Sequence, residues 1–235
     1  MKFEFKNELE SATLYIFDNI GSSYWEINAN DIEEELKNAN NKPLNIHINS
    51  NGGEVFEGFT IYNLIKGYSG QTTVYVDGLA ASIASVIALA GDKVIMNKAS
   101  MFMIHNASGG CYGNAEEMKK VVEALEKINS VIKDIYVAKT GLSVEKLTEL
   151  MDNETFMTPS ECLEYGFCDE VIDEEPTSQS KDITTKSMED LRNTIEKKIK
   201  DFKDLRSALS YADNKDEERF LNKKKNHDWL RKEFI

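Results

Sequence analysis

Apolar residues along the chain change their spacing repeatedly, from the alternation of a strand to the three- or four-residue period of a helix. In residues 43–50 (PLNIHINS) every second side chain is apolar, which predicts a strand with one buried face. Residues 54–66 carry apolar side chains at helical spacing, which predicts an amphipathic helix. The polar turn Asn51-Gly52-Gly53 separates the two elements.

The same patterns predict the other elements. We expect further strands at 1–5, 12–17, 72–76, 93–96, 101–104 and 167–172, and helices at 80–90, 114–139, 143–151 and 159–165. Another helix is expected after an N-cap at Asn30, with Glu33 completing a capping box. Asp77-Gly78 is expected to end the strand that starts at Thr72. Because strands alternate with helices, the predicted class is α/β, built from strand–strand–helix or strand–helix units.

The composition changes after residue 175. Residues 176–187 form a polar stretch with several Ser and Thr, which predicts a linker. Residues 188–235 are heavily charged, and their apolar residues have helical spacing: Leu191, Ile195, Ile199, Phe202 and Leu205. We therefore predict a domain over 1–175, a linker over 176–187 and a charged helical extension over 188–235.

Charge limits the kinds of partner. The 235 residues carry a formal net charge of −13. Residues 1–175 hold 13 Lys and Arg against 29 Asp and Glu, a net charge of −16, whereas residues 176–235 have a net charge of +3. An acidic body repels phosphate backbones, so we expect no nucleic-acid partner.

The N-terminal sequence, the hydropathy and the cysteines bear on where the protein is located. The N-terminus, MKFEFKNELE, is too charged for a signal peptide, and no run of about 18 apolar residues predicts a membrane span. Cys111, Cys162 and Cys168 are too few and too scattered for a disulfide framework. We expect a cytoplasmic protein with reduced thiols and no membrane partner.

Few residues offer candidate chemistry. The three histidines are His47, His105 and His227, and no metal-binding or nucleotide-binding motif accompanies them, so neither a metal nor a cofactor is expected. Ser82 lies where a strand runs into a helix, in the first turn, among small residues (GLAASIAS). Free N–H groups at a helix N-terminus favour negative charge, so this serine could be a nucleophile with the Ile83 N–H facing an oxyanion. Alternatively, Ser82 only packs against or caps a buried helix.

Two other segments could complete such a site. Gly52 and Gly53, between a strand and a helix, expose backbone N–H groups as in an oxyanion hole or a phosphate cradle, although an ordinary turn has the same pattern. His105 ends the apolar strand MFMIH, where a base could emerge, although a lone histidine there is also compatible with a core position. His47 lies inside a strand and His227 in the charged tail.

These segments, in this order and at this spacing, resemble the Clp peptidase family over roughly residues 10–173. The resemblance implies the family's spiral of strand–strand–helix units, which it shares with the crotonases, and a serine endopeptidase with Ser82 as nucleophile and His105 as base. It also implies Gly53 and Ile83 as oxyanion donors, and a strand containing Gly109 and Gly110 that pairs with the substrate. The helix from Asn114 resembles the handle helix of the family, which implies a homo-oligomeric ring, and an ATPase unfoldase is a further partner that the resemblance allows.

The third catalytic position departs from the family pattern. Where the family usually has Asp, the segment MDNETFMTPSECLEYGF has Glu154, and Asp152 is the alternative. The Glu-Thr pair, the short N-terminus and the charged extension resemble the Clp-related head-maturation (prohead) proteases of tailed phages. Such an enzyme would cut capsid or scaffold proteins in the host cytoplasm or the prohead. The alternatives are a housekeeping-type Clp proteolytic subunit, a non-catalytic ring or scaffold module, a crotonase-type acyl-CoA enzyme, and a cysteine peptidase built on Cys111.

Overall fold

The computed structural model describes residues 3–23 and 26–173. The predicted linker over 176–187 and the extension over 188–235, with His227, lie outside the described residues. These two predictions therefore remain predictions.

A single mixed sheet organises the described residues. Its strands are β1 (Phe3–Asn7), β2 (Ala12–Ile16), β3 (Leu44–Ser50), β4 (Thr72–Ala81), β5 (Lys93–Asn97), β6 (Met101–Ile104), β7 (Thr155–Met157) and β8 (Glu170–Ile172). The order is β1-β2-β3-β4-β5-β8, and β6 pairs with both β4 and β7. The β1–β2 and β6–β7 pairs are antiparallel, and the other pairs are parallel. Strands β2 to β5 are separated by helices, and this confirms the α/β class.

Six helices lie within the described ranges: α1 (Ala29–Ala39), α2 (Val55–Lys66), α3 (Ile83–Ala88), α4 (Ala115–Thr140), α5 (Val144–Asp152) and α6 (Pro159–Tyr165). The predicted N-cap of α1 at Asn30 was wrong. Asn28 is the cap, and its side chain accepts a hydrogen bond from the Asp31 N–H. The helix begins early because Ile27 pairs with Ile20 in an isolated bridge, which leaves Asn28 extended at the point where the chain turns.

Strand β4 is longer than predicted and sets the position of Ser82. The strand does not end at Asp77-Gly78 but continues to Ala81, because it changes partner along its length. Residues 73–76 pair with β5, whereas residues 79–81 pair with β6. Helix α3 therefore begins at Ile83 instead of Ala80, and Ser82 is its N-cap residue, just before the first turn in which it was predicted.

The core includes one face of the central strands and residues from all six helices. The inward side chains of the central strands are fully buried: Leu14, Ile16, Ile46, Ile48, Val74 and Val76. The predicted alternation of 43–50 is confirmed, since β3 alternates buried and half-buried residues. His47 lies on the other face, where it stacks between Tyr15 and Tyr75 and its Nδ1 lies 2.9 Å from Asp77 Oδ2. This histidine is thus committed to the outer face of the sheet.

Across residues 3–23 and 26–173, no helix combines the length and the hydropathy that crossing a bilayer requires.

Candidate active site

Ser82 occupies a sharp turn between β4 and α3. Its backbone has φ 54° and ψ −129°, a conformation that a non-glycine residue rarely adopts and that costs about 1–3 kcal/mol. Its N–H donates to the Met103 carbonyl over 3.0 Å, which ties the turn to β6. The turn therefore leaves the strand direction abruptly and holds the Ser82 hydroxyl at the end of the β4–β6 pair.

His105 follows the last residue of β6, as the sequence predicted. The register pairs Ala81 with Met103, so Ser82 and His105 leave neighbouring strands at the same edge. His105 Nε2 lies 2.7 Å from Ser82 Oγ, within hydrogen-bond distance. A serine hydroxyl this close to an imidazole nitrogen can transfer its proton to the ring, provided that Nδ1 carries the ring proton.

Glu154 is the acidic residue that faces the other ring nitrogen. Its Oε1 lies 4.0 Å from His105 Nδ1, and its side chain is 64% exposed. Strand β7, which the sequence pattern did not predict, pairs Thr155 with Ile104 and so brings Glu154 beside His105. Glu154 also has a positive φ of 48°, so the acid and the serine at 54° both have strained backbones.

Asp152, the alternative third member, makes a different contact. Its Oδ1 accepts a hydrogen bond of 2.7 Å from the side-chain amide of Asn106. That bond positions Asn106, the residue that follows His105, and does not involve the imidazole. Of the two acids that the sequence left open, the structure therefore brings Glu154 to the ring and Asp152 to its neighbour.

Gly52 lies against the Ser82 turn, and Gly53 lies against Ile20. Gly52 has φ +88°, and a Cβ built on it would lie 2.8 Å from Ser82 Cβ and 3.0 Å from Ile83 N. A Cβ on Gly53, where φ is +151°, would overlap the carbonyl oxygen of Ile20. Only glycine fits both positions. Among the hydrogen bonds of the described residues, none uses the N–H of Gly53 or of Ile83, so both donors are available to a ligand.

The strand expected at Gly109 and Gly110 is absent. No strand is assigned to residues 105–114, and β6 ends at Ile104. The physical reason is the lack of a partner, since β7 covers only the part of β6 before His105 and no other strand among the described residues continues the ladder. The segment is exposed at both glycines, and the Asn129 side chain of α4 accepts a 2.8 Å bond from the Ala107 N–H.

The cysteines lie apart from this arrangement. Cys111 is exposed in the glycine-rich segment, whereas Cys162 and Cys168 are buried. Burial raises the pKa of Cys168 to about 11 and raises the pKa of Cys162 as well, which keeps both thiols protonated. Neither buried thiol can act as a nucleophile near neutral pH.

Several polar residues around the site were not predicted. Asn106, Asn129, Ser85 and Tyr136 hold the segments that carry Ser82 and His105. Only one sequence signal pointed to them, a serine within the apolar run of residues 83–90. The three contacts that these residues make join positions 22 to 51 apart in the chain and depend on tertiary packing.

Comparisons with known proteins identify the family of this chain. A family model described as Clp protease matches residues 20–175. The ATP-dependent Clp protease proteolytic subunit of Deinococcus radiodurans is 36% identical over 135 residues, covering 56% of this chain and 65% of that protein. The protein of the same name from Bacteroides fragilis is 34% identical over 133 residues, covering 56% of this chain and 64% of that protein.

A solved structure is also similar. A mutant of ClpP1 from Listeria monocytogenes superposes with a TM-score of 0.62 at 26% identity, covering 69% of this chain and 92% of that one. The chain spans slightly less than two thirds of the length of the two curated relatives. Since the family model covers well over half of the chain and includes Ser82, His105 and Glu154, the chain belongs to the Clp protease family.

Proposed function

We propose that this chain is a serine endopeptidase that hydrolyses peptide bonds through an acyl-enzyme. The observation that carries the proposal is the 2.7 Å approach of His105 Nε2 to Ser82 Oγ. Membership of the Clp protease family supports it, and no step of the reaction needs a metal or a cofactor.

The proposed reaction has two stages, formation of the acyl-enzyme and its hydrolysis. Ser82 Oγ attacks the scissile carbonyl carbon while its proton passes to His105 Nε2. The resulting tetrahedral intermediate collapses, the C–N bond breaks, and His105 returns the proton to the leaving amine. Water then attacks the acyl-enzyme, again giving a proton to His105, and the second collapse releases the carboxylic acid and restores the Ser82 hydroxyl.

The negative charge of each tetrahedral intermediate needs hydrogen-bond donors. We assign this role to the N–H groups of Gly53 and Ile83, since neither has an acceptor among the described residues. Ile83 directly follows Ser82, and Gly53 directly follows Gly52, which lies against the Ser82 turn. Loss of one such donor typically costs about 10²–10³ in rate. Because the donors are backbone groups, their direction depends on how the turn is held.

Glu154 is proposed as the third member of the triad. A carboxylate near Nδ1 favours the tautomer with the proton on that nitrogen and stabilises the imidazolium that forms during attack. The Oε1–Nδ1 distance of 4.0 Å is too long for a hydrogen bond. We expect the contact to shorten when substrate occupies the site, as catalytic hydrogen bonds often do.

Substrate binding is proposed along the segment that contains Gly109 and Gly110. An extended peptide could pair with this backbone as an added strand, because glycines permit close approach. Both glycines are exposed and lack a strand partner among the described residues, which leaves their backbone groups available for such pairing.

A homo-oligomeric ring is proposed from helix α4. Only Ile132 and Tyr136 of its 26 residues are buried. Met118, Val122 and Val131 remain 44%, 54% and 47% exposed. Exposed apolar side chains on a long helix are typical of an interaction surface, and the occupant that we propose is a second copy of this chain.

The biological role divides into two candidates. The first is a phage or prophage head-maturation protease that cuts capsid or scaffold proteins, supported by the glutamate at the third catalytic position. The second is a proteolytic subunit that works with an ATPase unfoldase, supported by the names of the Deinococcus and Bacteroides relatives. Mass spectrometry of co-expressed capsid and scaffold proteins, with wild type and Ser82→Ala, distinguishes them. Fragments that depend on Ser82 support the first role, and identical fragments with both proteins refute it.

The peptidase proposal itself is tested with a fluorophosphonate probe. Wild type should be labelled at Ser82 and should hydrolyse unstructured peptides, and Ser82→Ala should lose both properties. Ser100→Ala is the control, because Ser100 is a buried serine whose hydroxyl donates to the Asn97 carbonyl in the turn between β5 and β6. Absence of labelling in folded, assembled wild type would overturn the proposal in favour of a non-catalytic module.

A further inference from the structure

A buried chain of hydroxyl groups connects helix α4 to the Ser82 turn. The Tyr136 hydroxyl lies 2.7 Å from Ser85 Oγ, and Ser85 Oγ lies 2.5 Å from the Ser82 carbonyl oxygen. Ser85 and Tyr136 have relative exposures of 0% and 1%. Polar groups buried this deeply must be paired, and here each hydroxyl finds its partner within the chain.

The chemistry of the three groups fixes the direction of the chain. A carbonyl oxygen can only accept, so the Ser85 hydroxyl donates its one hydrogen to Ser82 O. The Tyr136 hydroxyl must then donate to Ser85 Oγ. Burial raises the pKa of Tyr136, so its phenol keeps the proton that this bond needs.

The Ser82 carbonyl is therefore held by two groups of one residue. It accepts from the Ser85 hydroxyl and also from the Ser85 N–H, over 3.0 Å. These two bonds oppose rotation of the peptide that joins Ser82 to Ile83. That rotation would otherwise change the ψ of Ser82, which is −129° in a strained backbone with φ 54°.

The same peptide carries the Ile83 N–H. In a planar trans peptide the C=O and N–H bonds point in opposite directions. Whatever fixes the Ser82 carbonyl on the α3 side therefore aims the Ile83 N–H away from that carbonyl. The Ile83 nitrogen itself lies beside Gly52, where an added Cβ would come within 3.0 Å of it. The orientation of the donor is set by groups that never touch the substrate.

We propose that Tyr136 and Ser85 are positioning residues for the oxyanion donor, aiming the Ile83 N–H through the Ser82 carbonyl. This inference rests on the proposed peptidase function. Tyr136 is one of the two buried residues of α4. The proposal therefore gives α4 a role in positioning the oxyanion donor in addition to its role in packing.

The test compares Tyr136→Phe, which deletes one hydroxyl, with wild type. Hydrolysis of a fluorogenic peptide is measured per active site, counted by fluorophosphonate titration. We expect kcat to fall roughly tenfold, a fraction of the ~10²–10³ lost with a whole donor, while KM changes less than about twofold. Affinity for a peptide boronate, which places an oxygen in the oxyanion site, should fall in parallel with kcat.

Tyr68→Phe is the matched control. Tyr68 donates to the Lys42 carbonyl over 2.7 Å, and that bond joins two loops at the opposite end of β3 and β4. The control also loses one tyrosine hydrogen bond and should lower the melting temperature, yet keep its kcat and its boronate affinity. If both variants keep wild-type kcat, or if the kinetic loss merely follows the melting temperature, the positioning role is refuted.

A double variant provides a second criterion. Ser85→Ala removes the acceptor of Tyr136 as well as the donor to Ser82, so adding Tyr136→Phe to it should reduce kcat no further. If the two substitutions lower kcat multiplicatively, the proposed chain of hydroxyl groups is contradicted. Absence of fluorophosphonate labelling in wild type would instead overturn the peptidase proposal. Failure of the positioning proposal and failure of the peptidase proposal are therefore distinguishable.

Discussion

Glu154 Oε1 lies 4.0 Å from Nδ1 of His105, on the side of the imidazole away from Ser82. The carboxylate follows shortly after the end of α5 and reaches the ring because β7 pairs with β6. Its side chain is 64% exposed, so water screens the interaction. We therefore expect this carboxylate to contribute less to kcat than a buried carboxylate would.

Replacing Glu154 with Gln should therefore lower kcat by about 10- to 100-fold, less than the ~10⁴ for a buried triad aspartate. The amide cannot stabilise the imidazolium, and an exposed, loosely placed carboxylate contributes less than a buried one. Peptide hydrolysis per titrated active site measures the effect. Asp152→Asn should change kcat less than about threefold, because Asp152 contacts Asn106. The reverse order of effects would identify Asp152 as the third member.

Gly52→Ala should damage both the fold and the site. The new Cβ would stand 2.8 Å from Ser82 Cβ, at a φ of +88° that alanine disfavours. We expect a loss of about 1–3 kcal/mol in unfolding free energy and at least a tenfold loss in fluorophosphonate labelling rate. Gly67→Ala is the control, since Gly67 has φ −85° and its Cβ would meet nothing closer than 3.2 Å. Equal effects of the two substitutions would show that the contact with Ser82 is irrelevant.

Val122→Asp should disrupt the proposed assembly. Val122 is 54% exposed in the described chain, and an unpaired carboxylate would be costly in an apolar contact. Light scattering after size exclusion should show wild type as an oligomer and the variant as smaller species. Leu163→Asp places the same charge at an apolar residue of α6 that is 48% exposed, and should leave the oligomer intact. An unchanged mass for Val122→Asp would remove α4 from the proposed interface.

Basic peptides should be cleaved faster than acidic ones. Residues 1–175 have a formal net charge of −16, and an acidic surface concentrates cations near it. We expect kcat/KM for a lysine-rich peptide to exceed that of its glutamate-rich counterpart by roughly tenfold at low ionic strength. Salt near 1 M, where the Debye length is about 3 Å, should bring the two values together. A ratio that does not depend on salt would exclude electrostatic selection.

The sequence alone determined the local elements and the identity of the central residues. Alternation in residues 43–50 predicted β3 because a half-buried strand must place every second side chain in the core. Small residues and glycines marked the turns at Gly52 and Ser82, since local backbone geometry restricts which residues fit. The order of these motifs was enough to indicate the family that the comparisons confirm.

Tertiary structure decided what depends on contacts between distant segments. Strand β4 runs past Asp77-Gly78 because β6 replaces β5 as its partner, and no local pattern encodes that exchange. The three residues of β7 are too few for a periodic signal, yet their pairing with β6 brings Glu154, and not Asp152, to His105. The bond between Tyr136 and Ser85 spans 51 positions and forms only when α4 packs on α3. Periodicity predicts each helix or strand separately, whereas the packing of these elements against one another determines which atoms surround Ser82.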